Sequence, residues 1–212
     1  MAPSTIHKSG PMTPTERQRR WREKARKQAA AHYRGRGTGE NHWFTPLEHI
    51  EAAREVMGNI DVDPASHPDA QRWIGAAQFY TRKSNGLDKP WFGRVWLNPP
   101  YARDEIGPFI EKLGVEIDAG RTTEAILLTH AYTDTLWFQK AVLFSVGSCF
   151  TLGRIKFIDI NYVLSNPTQG QTFFYYGCNW ERFCRVFSEF GVLCQWQLPP
   201  ARQPDQRQEA AD

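Results

Sequence analysis

Asn98, Pro99, Pro100 and Tyr101, which follow the apolar run "VWL", are the residues of this chain best suited to do chemistry. Two consecutive prolines fix the backbone and remove two amide donors, so the Asn side chain and the adjoining carbonyl groups become rigid acceptors. The Tyr101 ring beside them offers a flat stacking face. The four residues therefore predict a cradle for a flat group that carries an amine.

Carboxylates next to predicted strands form a second candidate site. Asp61 and Asp63 lie in "NIDVDPAS", and Asp88 lies in "NGLDKPW". If the strands are parallel neighbours, these acids meet Asn98 at the carboxyl edge of the sheet, where open α/β sheets bind ligands. There they would accept hydrogen bonds from ribose hydroxyls or from an amine. The structural alternative is that Asp-Pro opens a turn and that Asp88 caps one.

Periodicity and terminal signals predict the elements that position these residues. Helical patterns are "TPLEHIEAAREVMG", "HPDAQRWIGA", "RDEIGPFIEKLGVEIDAG", "TDTLWFQKAVLF" and "NWERFCRVFSEFG". Strand-like runs are "NIDVDP", "QFYT", "RVWLN", "EAILLTH", "SVGSCFTL", "RIKFIDI", "QTFFYYG" and "VLCQWQL". Thr45 is expected to cap the first helix, with Pro46 at its first position and Gly58 at its end, and Pro99 is expected to end the strand "RVWLN". Strands that alternate with helices predict an α/β fold with a mainly parallel sheet, and the later strands predict an antiparallel C-terminal part.

The first 39 residues carry a concentrated positive charge. They hold ten Lys and Arg residues against two acids, a net charge of +8, whereas the remainder holds 16 basic and 21 acidic residues, a net charge of −5. Such an asymmetry is typical of an arm that binds a polyanion. We therefore predict a basic, partly disordered arm with one helix at 1–39, a folded domain at 40–198 and a disordered polar tail at 199–212.

Composition argues against several classes of protein. No apolar run approaches the roughly 20 residues that a membrane-spanning helix needs. Hydrophobic residues make up 41% of the chain, which is typical of a soluble globular protein. The four cysteines show no C-x-x-C spacing, so no metal site is predicted and reduced thiols are expected.

The segment Asn98-Pro99-Pro100-Tyr101 also matches the D/N/S-P-P-Y/F/W motif of amino-methyltransferases that use S-adenosylmethionine. With "WFTP", "IDVDPAS", "FYT", "NGLDKPW", "LGRIKF" and "TFFYYG" in the same order, the chain resembles the phage and prophage DNA N6-adenine methyltransferase (Dam-type) family over roughly residues 41–190. The resemblance implies a Rossmann-like S-adenosylmethionine-dependent methyltransferase fold. It also implies methyl transfer from S-adenosylmethionine to the amine of an adenine flipped out of double-stranded DNA, in the cytoplasm of a bacterial host.

The resemblance implies roles for single residues as well. Thr45 and Pro46 would lie against the methionine part of the cofactor, Asp61, Asp63 and Pro64 would bind the cofactor, and Asp88 would meet its adenine amine. Asn98 and the Pro99 carbonyl would accept hydrogen bonds from the target N6, with Pro100 stiffening the turn and Tyr101 stacking on the base. Candidates for contacts to DNA phosphates are Arg154, Lys156 and, in the arm, Arg19, Arg20, Arg22 and Lys24.

The chain departs from the family pattern in two places. It has no Gly-rich F-x-G-x-G loop, and "DVDPASHPDA" stands either for that element or for the next one. Which of Asp61 and Asp63 contacts which part of the cofactor therefore stays open. The 35 residues from Asp63 to Asn98 suit two strand–helix steps, which allows a reduced sheet. Trp137 and Phe138 are expected in the core.

Three alternatives stand beside adenine-N6 methylation. The same four-residue motif serves enzymes that methylate a protein glutamine amide at N5. Cytosine-N4 DNA methyltransferases are chemically adjacent but more often carry Ser at the first motif position. The third alternative is an inactive DNA-binding phage protein of the same fold, and the intact motif at 98–101 speaks against it.

Overall fold

The structure is a computed structural model that describes residues 43–102, 104–159, 162–165 and 168–197. The predicted arm at 1–39, with Arg19, Arg20, Arg22 and Lys24, and the predicted tail at 199–212 lie outside the described residues. These regions therefore stay predictions from the sequence. No helix among the described residues is long and apolar enough to cross a membrane.

Nine strands and five α-helices make up the described part of the chain. The strands are β1 Trp43–Phe44, β2 Val62–Ser66, β3 Gln78–Thr81, β4 Gly93–Leu97, β5 Thr122–His130, β6 Gly147–Thr151, β7 Ile158–Asp159, β8 Gln171–Tyr176 and β9 Gly191–Gln195. The helices are α1 Leu47–Met57, α2 Gln71–Ile74, α3 Ile106–Asp118, α4 Leu136–Phe144 and α5 Trp180–Phe187. A 3-10 helix spans Gly86–Asp88.

Seven strands form one mixed sheet in the order β3-β2-β4-β5-β8-β6-β9. β3, β2, β4 and β5 are parallel neighbours, whereas β8 is antiparallel to β5 and β6, and β9 is antiparallel to β6. The predicted α/β class is therefore confirmed. The interval from Asp63 to Asn98 holds one strand, β3, before β4, while the whole sheet reaches seven strands.

The chain changes its direction across the sheet between β2 and β4. From β2 it moves outward to β3, then returns past β2 to β4 and continues to β5. In open α/β sheets, ligands bind outside the carboxyl ends of the strands at such a switch point. The ends of β2 and β4, at Ser66 and Leu97, therefore mark the expected position of a site.

The central strands are buried on both faces of the sheet. Trp96 and Ile126 pack with α1 and α5 on one face, whereas their neighbours Leu97 and Leu127 pack with α3 and α4 on the other. Side chains alternate along a strand, so burial of both faces requires the continuous apolar runs of β4 and β5. Phe138 is buried in the second of these cores and Trp137 packs against it, as predicted.

Local details differ from the sequence predictions. α1 begins at Leu47 with Pro46 as its N-cap, so Pro46 is not at the first helical position and Thr45 lies one residue before the cap. The Thr45 hydroxyl accepts a hydrogen bond from Asn98 instead of capping the helix. β2 continues through "VDPAS" rather than ending at the acids. α2 is a single turn and β7 has two residues, which pair with β1 in a separate small sheet. The stop predicted at Gly58 is present, with a left-handed φ of 89°.

Candidate active site

A cleft lies at the switch point, between the carboxyl ends of β2 and β4. The two strands are paired at Val62 and Val95, and further along β2 Pro64 offers no N–H to the ladder. The cleft has a volume of about 430 Å³ with its open mouth included. Its walls are formed by Trp43, Phe44, Thr45, Asp63, Ala65, Ser66, His67, Ala70, Ile74, Trp96 and Asn98.

Asn98 is held at both ends of its amide. Its Nδ2 donates a hydrogen bond to Thr45 Oγ1 at 3.1 Å, and its Oδ1 accepts one from the Tyr101 hydroxyl at 2.6 Å. Thr45 is only 2% exposed, and its carbonyl oxygen accepts a hydrogen bond from Trp73 Nε1 at 3.1 Å. The amide of Asn98 is therefore fixed in one orientation by a residue that precedes it by more than 50 positions.

Tyr101 lies between the amide of Asn98 and the end of β5. Its hydroxyl also reaches the Leu128 carbonyl oxygen at 3.4 Å. Its ring lies 3.9 Å from the His130 ring, centroid to centroid, at an interplanar angle of 36°. Burial raises the pKa of the Tyr101 hydroxyl, so the group stays protonated and acts as a donor to Asn98.

Asp63 is the acid that lies in the cleft. Its carboxylate is 2% exposed and accepts hydrogen bonds from Gln71 Nε2 at 2.8 Å and from the Ala65 N–H at 3.3 Å. Burial raises the pKa of Asp63 to about 7, although hydrogen bonds from Ser66, Ala65 and Gln71 act in the opposite direction. The group can therefore change its charge near neutral pH.

Asp61 lies at the opposite end of β2 from the cleft. Its carboxylate accepts hydrogen bonds from the backbone N–H and from Nε of Arg94, at 2.8 and 2.9 Å. Partial burial raises the pKa of Asp61, but the hydrogen bonds and charge of Arg94 outweigh this effect and hold the pKa below its ordinary value. β2 begins at Val62, between the two acids. Asp63 therefore lines the cleft, and Asp61 does not.

Asp88 lies beside β2 in the exposed 3-10 turn. It accepts a hydrogen bond from Asn85 Nδ2 at 2.6 Å. Gly86 of the same turn packs so closely on Pro64 that a Cβ there would overlap the Pro64 carbonyl group. Asp88 is therefore close to the wall of the cleft without forming part of it.

The remaining predicted residues divide between the cleft and the surface. Pro46 and Pro99, which follow Thr45 and Asn98 in the chain, are buried. Pro100 is half-buried. Arg154 and Lys156 are exposed on the segment between β6 and β7. β6 runs parallel to β5, so this segment leaves the sheet at the same edge as Asn98.

The sequence predictions omitted several residues of the site. Ser66, His67 and Gln71 surround Asp63, and His130 covers Tyr101. Their position at the carboxyl end of a strand was an available signal, because His67 directly follows β2 and His130 is the last residue of β5, where side chains lie at the ligand edge. Gln71 had no such signal, since it reaches Asp63 from α2.

Comparison with known proteins identifies the family of this chain. A sequence model described as "DNA N-6-adenine-methyltransferase (Dam)" matches residues 36–173, more than half of the chain and all of the residues around the cleft. A DNA N-6-adenine-methyltransferase of Escherichia phage T1 is 32% identical over 102 residues, which are 47% of this chain and 40% of that protein. The match thus spans less than half of the relative's length. The chain belongs to the DNA N-6-adenine-methyltransferase (Dam) family.

Proposed function

We propose that this protein is a site-specific DNA methyltransferase that transfers a methyl group from S-adenosylmethionine to the exocyclic amine of an adenine flipped out of double-stranded DNA. The observation that carries the proposal is the fixed amide of Asn98, held by Thr45 and Tyr101 at the rim of a cleft. Family membership and the phage relative support the same activity. They also support a phage or prophage origin and action in the cytoplasm of a bacterial host.

The residues of the cleft fit S-adenosylmethionine. The switch point between β2 and β4 supports a Rossmann-like methyltransferase fold, in which the cofactor lies across the carboxyl ends of these strands. Phe44, Ile74 and Trp96 give the cleft apolar walls, and Thr45 and Asp63 supply buried polar groups. When bound, the cofactor supplies an electrophilic methyl group on a positively charged sulfur.

Asp63 takes the role of the acid that binds the cofactor, and Asp61 is left out of the site. The Asp63 carboxylate, positioned by Gln71, accepts hydrogen bonds from ribose hydroxyls or from the amino group of the cofactor. Asp88 meets the adenine amine from the neighbouring turn. Pro46, at the N-cap of α1, and Pro64, in β2, follow the cleft residues Thr45 and Asp63 and would position them against the cofactor.

Asn98 and Pro99 act on the target amine. The N6 amine of adenine is a poor nucleophile because its lone pair is delocalised into the ring. Asn98 Oδ1 and the Pro99 carbonyl oxygen accept its two N–H groups and favour a pyramidal nitrogen. These acceptors would stabilise the positive charge that develops on the amine as it takes the methyl group, and one N6 proton would then leave to water. Tyr101 offers a stacking face that offsets part of the cost of unstacking the base.

DNA is held by basic groups around this edge. Arg154 and Lys156 are exposed on the segment that follows β6, at the edge that carries Asn98. Together with the basic residues of the arm, they would neutralise phosphates and position the duplex without reading its sequence.

The proposal is tested by identifying the methylated product. The full chain is incubated with methyl-labelled S-adenosylmethionine and unmethylated duplex DNA, which is then digested to nucleosides. We expect the label in N6-methyladenine. Label in N4-methylcytosine, label in protein glutamine, or binding of cofactor and DNA without any transfer would each contradict it, and these outcomes correspond to the three alternatives.

A further inference from the structure

The stacking face of Tyr101 is already covered in the DNA-free protein. The His130 ring lies 3.9 Å from the Tyr101 ring, centroid to centroid, with 36° between the ring planes, which leaves no room for a nucleobase between the two rings. The hydroxyl of the same Tyr101 donates a hydrogen bond to Asn98 Oδ1 at 2.6 Å. The ring is thus held beside the atom that is proposed to accept from the target amine. A base on this face would thus find the acceptor in place and His130 in its way.

One nitrogen of the His130 imidazole lacks a hydrogen bond in this position. Its Nδ1 is buried and has no hydrogen-bond partner among the described residues. Burial lowers the pKa of His130, so the imidazole is neutral at neutral pH and no charge fixes it to a partner. A buried nitrogen without a partner regains a hydrogen bond when it moves into water, which offsets the loss of the ring contact.

The surroundings of His130 open towards solvent. His130 is the last residue of β5, and the chain continues into the exposed residues Tyr132, Thr133 and Asp134. The Tyr132 ring lies 5.2 Å from the His130 ring on this outer side. An outward turn of the imidazole would therefore carry it towards exposed residues and away from the buried core.

We propose that His130 belongs to the target-base site, where its ring occupies the place of the flipped adenine on Tyr101 until the base displaces it. The proposal rests on the proposed function, because Tyr101 is taken as the platform for the base. It makes His130 a positioning residue, which keeps the site closed and dry in the absence of a base and takes no part in methyl transfer.

Displacement is measured directly by NMR of the histidine ring protons. The probe is free 2′-deoxyadenosine, which needs no knowledge of the target sequence, and 2′-deoxycytidine is its matched control. We expect 2′-deoxyadenosine to move the His130 resonances towards those of a solvent-exposed histidine. His49 is the internal control, since it is buried against Phe173 and Phe190, away from the cleft, and its resonances should stay unchanged.

Two substitutions give opposite results if His130 is a displaceable occupant. His130→Ala removes the occupant, so the affinity for 2′-deoxyadenosine should rise about three- to tenfold, because displacement no longer lowers the apparent affinity. His130→Phe keeps a ring on Tyr101 but has no buried nitrogen to release, so the affinity should fall. With unmethylated plasmid DNA, the same changes should appear in KM, with kcat little altered.

The outcomes separate this proposal from the proposed function. His130 resonances that stay fixed while the nucleoside binds, an absence of nucleoside binding, or an affinity that falls in His130→Ala and is retained in His130→Phe would overturn the proposal for His130. The last pattern would instead mark a wall of the site or a structural ring. Displacement of His130 without methyl transfer to DNA would leave this proposal standing and contradict the proposed function.

Discussion

At the scale of single residues, the orientation of one amide dominates the site. The Tyr101 hydroxyl donates to Asn98 Oδ1, so Asn98 Nδ2 faces Thr45, and the buried Thr45 hydroxyl is the group that accepts from it. Two neighbours thus fix the amide before any substrate arrives. Preorganised acceptors of this kind need no rearrangement when charge develops on the amine.

Thr45→Val tests this orientation. The substitution removes the acceptor and keeps the branched shape, and a hydrogen bond of this kind contributes about 0.5–1.5 kcal/mol. We expect the single-turnover rate of methyl transfer to fall by up to about tenfold, since about 1.4 kcal/mol corresponds to a factor of ten. Thr45→Ser should restore the rate, and a Thr45→Val enzyme as fast as the parent would contradict the role.

In its proposed role as the acid that binds the cofactor, Asp63 should make the cofactor affinity depend on pH. Burial raises its pKa to about 7, so below that pH the carboxyl is protonated and accepts hydrogen bonds poorly. The ionised form binds hydroxyl or amino groups, so Kd for S-adenosylmethionine should fall as pH rises from about 6 to about 8, by at most tenfold per pH unit. Calorimetric titration over this range measures it.

Two neutral variants distinguish Asp63 from Asp61 as the acid that binds the cofactor. Asp63→Asn should flatten the pH dependence of cofactor binding. Asp61→Asn is the matched control, because Arg94 holds the pKa of Asp61 low and the residue lies away from the cleft. A flat profile in Asp61→Asn together with an unchanged profile in Asp63→Asn would reverse the assignment.

At the scale of elements, the site depends on how β2 meets the turn that carries Asp88. Gly86 packs against the backbone of Pro64, at the point where β2 forms the wall of the cleft. The Trp91 Nε1 donates to the Gly86 carbonyl oxygen at 2.8 Å and anchors the turn from its buried side. The position of the turn is therefore tied to the position of the strand.

Gly86→Ala should break this contact. A Cβ at this position overlaps the Pro64 carbonyl group, and overpacking of this kind costs about 1–3 kcal/mol of the free energy of unfolding. Gly107→Ala is the control, because a Cβ at Gly107 in α3 meets nothing within 4 Å. Chemical denaturation measures both, and equal stability of the two variants would show that the contact is not tight.

The elements were predicted more fully than their contacts. The helix over "TPLEHIEAAREVMG" and the strand "RVWLN" followed from periodicity and from Gly58 and Pro99 as stops. The cap predicted for Thr45 failed because a residue far along the chain, Asn98, takes its hydroxyl. Spacing along the sequence contains no information about such a contact.

In the candidate site as well, local sequence predicted single residues but not the contacts between distant parts of the chain. Asn98 and Tyr101 were predicted because two prolines between them limit the local backbone. The choice between Asp61 and Asp63 was open because both lie in the predicted strand "NIDVDP", two residues apart. The start of β2 at Val62 and the ion pair of Asp61 with Arg94 distinguish them. The ring of His130 on Tyr101 depends on the parallel pairing of β4 and β5, which no local pattern specifies.

At the scale of the whole molecule, charge is divided between the arm and the remainder. Residues 1–39 carry a net charge of +8 and the remainder −5. Because the remainder repels a polyanion on average, the proposed binding of DNA would depend on local basic groups and on the arm. Neutralised phosphates release counterions, so the number of phosphate contacts sets the slope of affinity against salt.

Removal of residues 1–39 should therefore weaken DNA binding and flatten its dependence on salt concentration. Fluorescence anisotropy with a labelled duplex at several salt concentrations measures the slope. Removal of residues 199–212, which hold two Arg against three acids, is the matched control and should leave the slope unchanged. An unchanged slope after loss of the arm would assign DNA binding to the folded domain alone.

In the proposed function, Asn98 serves the transfer of the methyl group rather than the binding of the cofactor. Asn98→Ala removes the acceptor of the target amine, and Asn59→Ala, at the opposite end of the sheet beside Asp61, removes an amide of equal size. Methyl transfer to unmethylated duplex DNA and the Kd for S-adenosylmethionine are measured on both. We predict that Asn98→Ala abolishes transfer with cofactor affinity largely kept, and that Asn59→Ala changes neither. Retained transfer, or an equal loss of transfer and cofactor affinity in Asn98→Ala, would contradict the account.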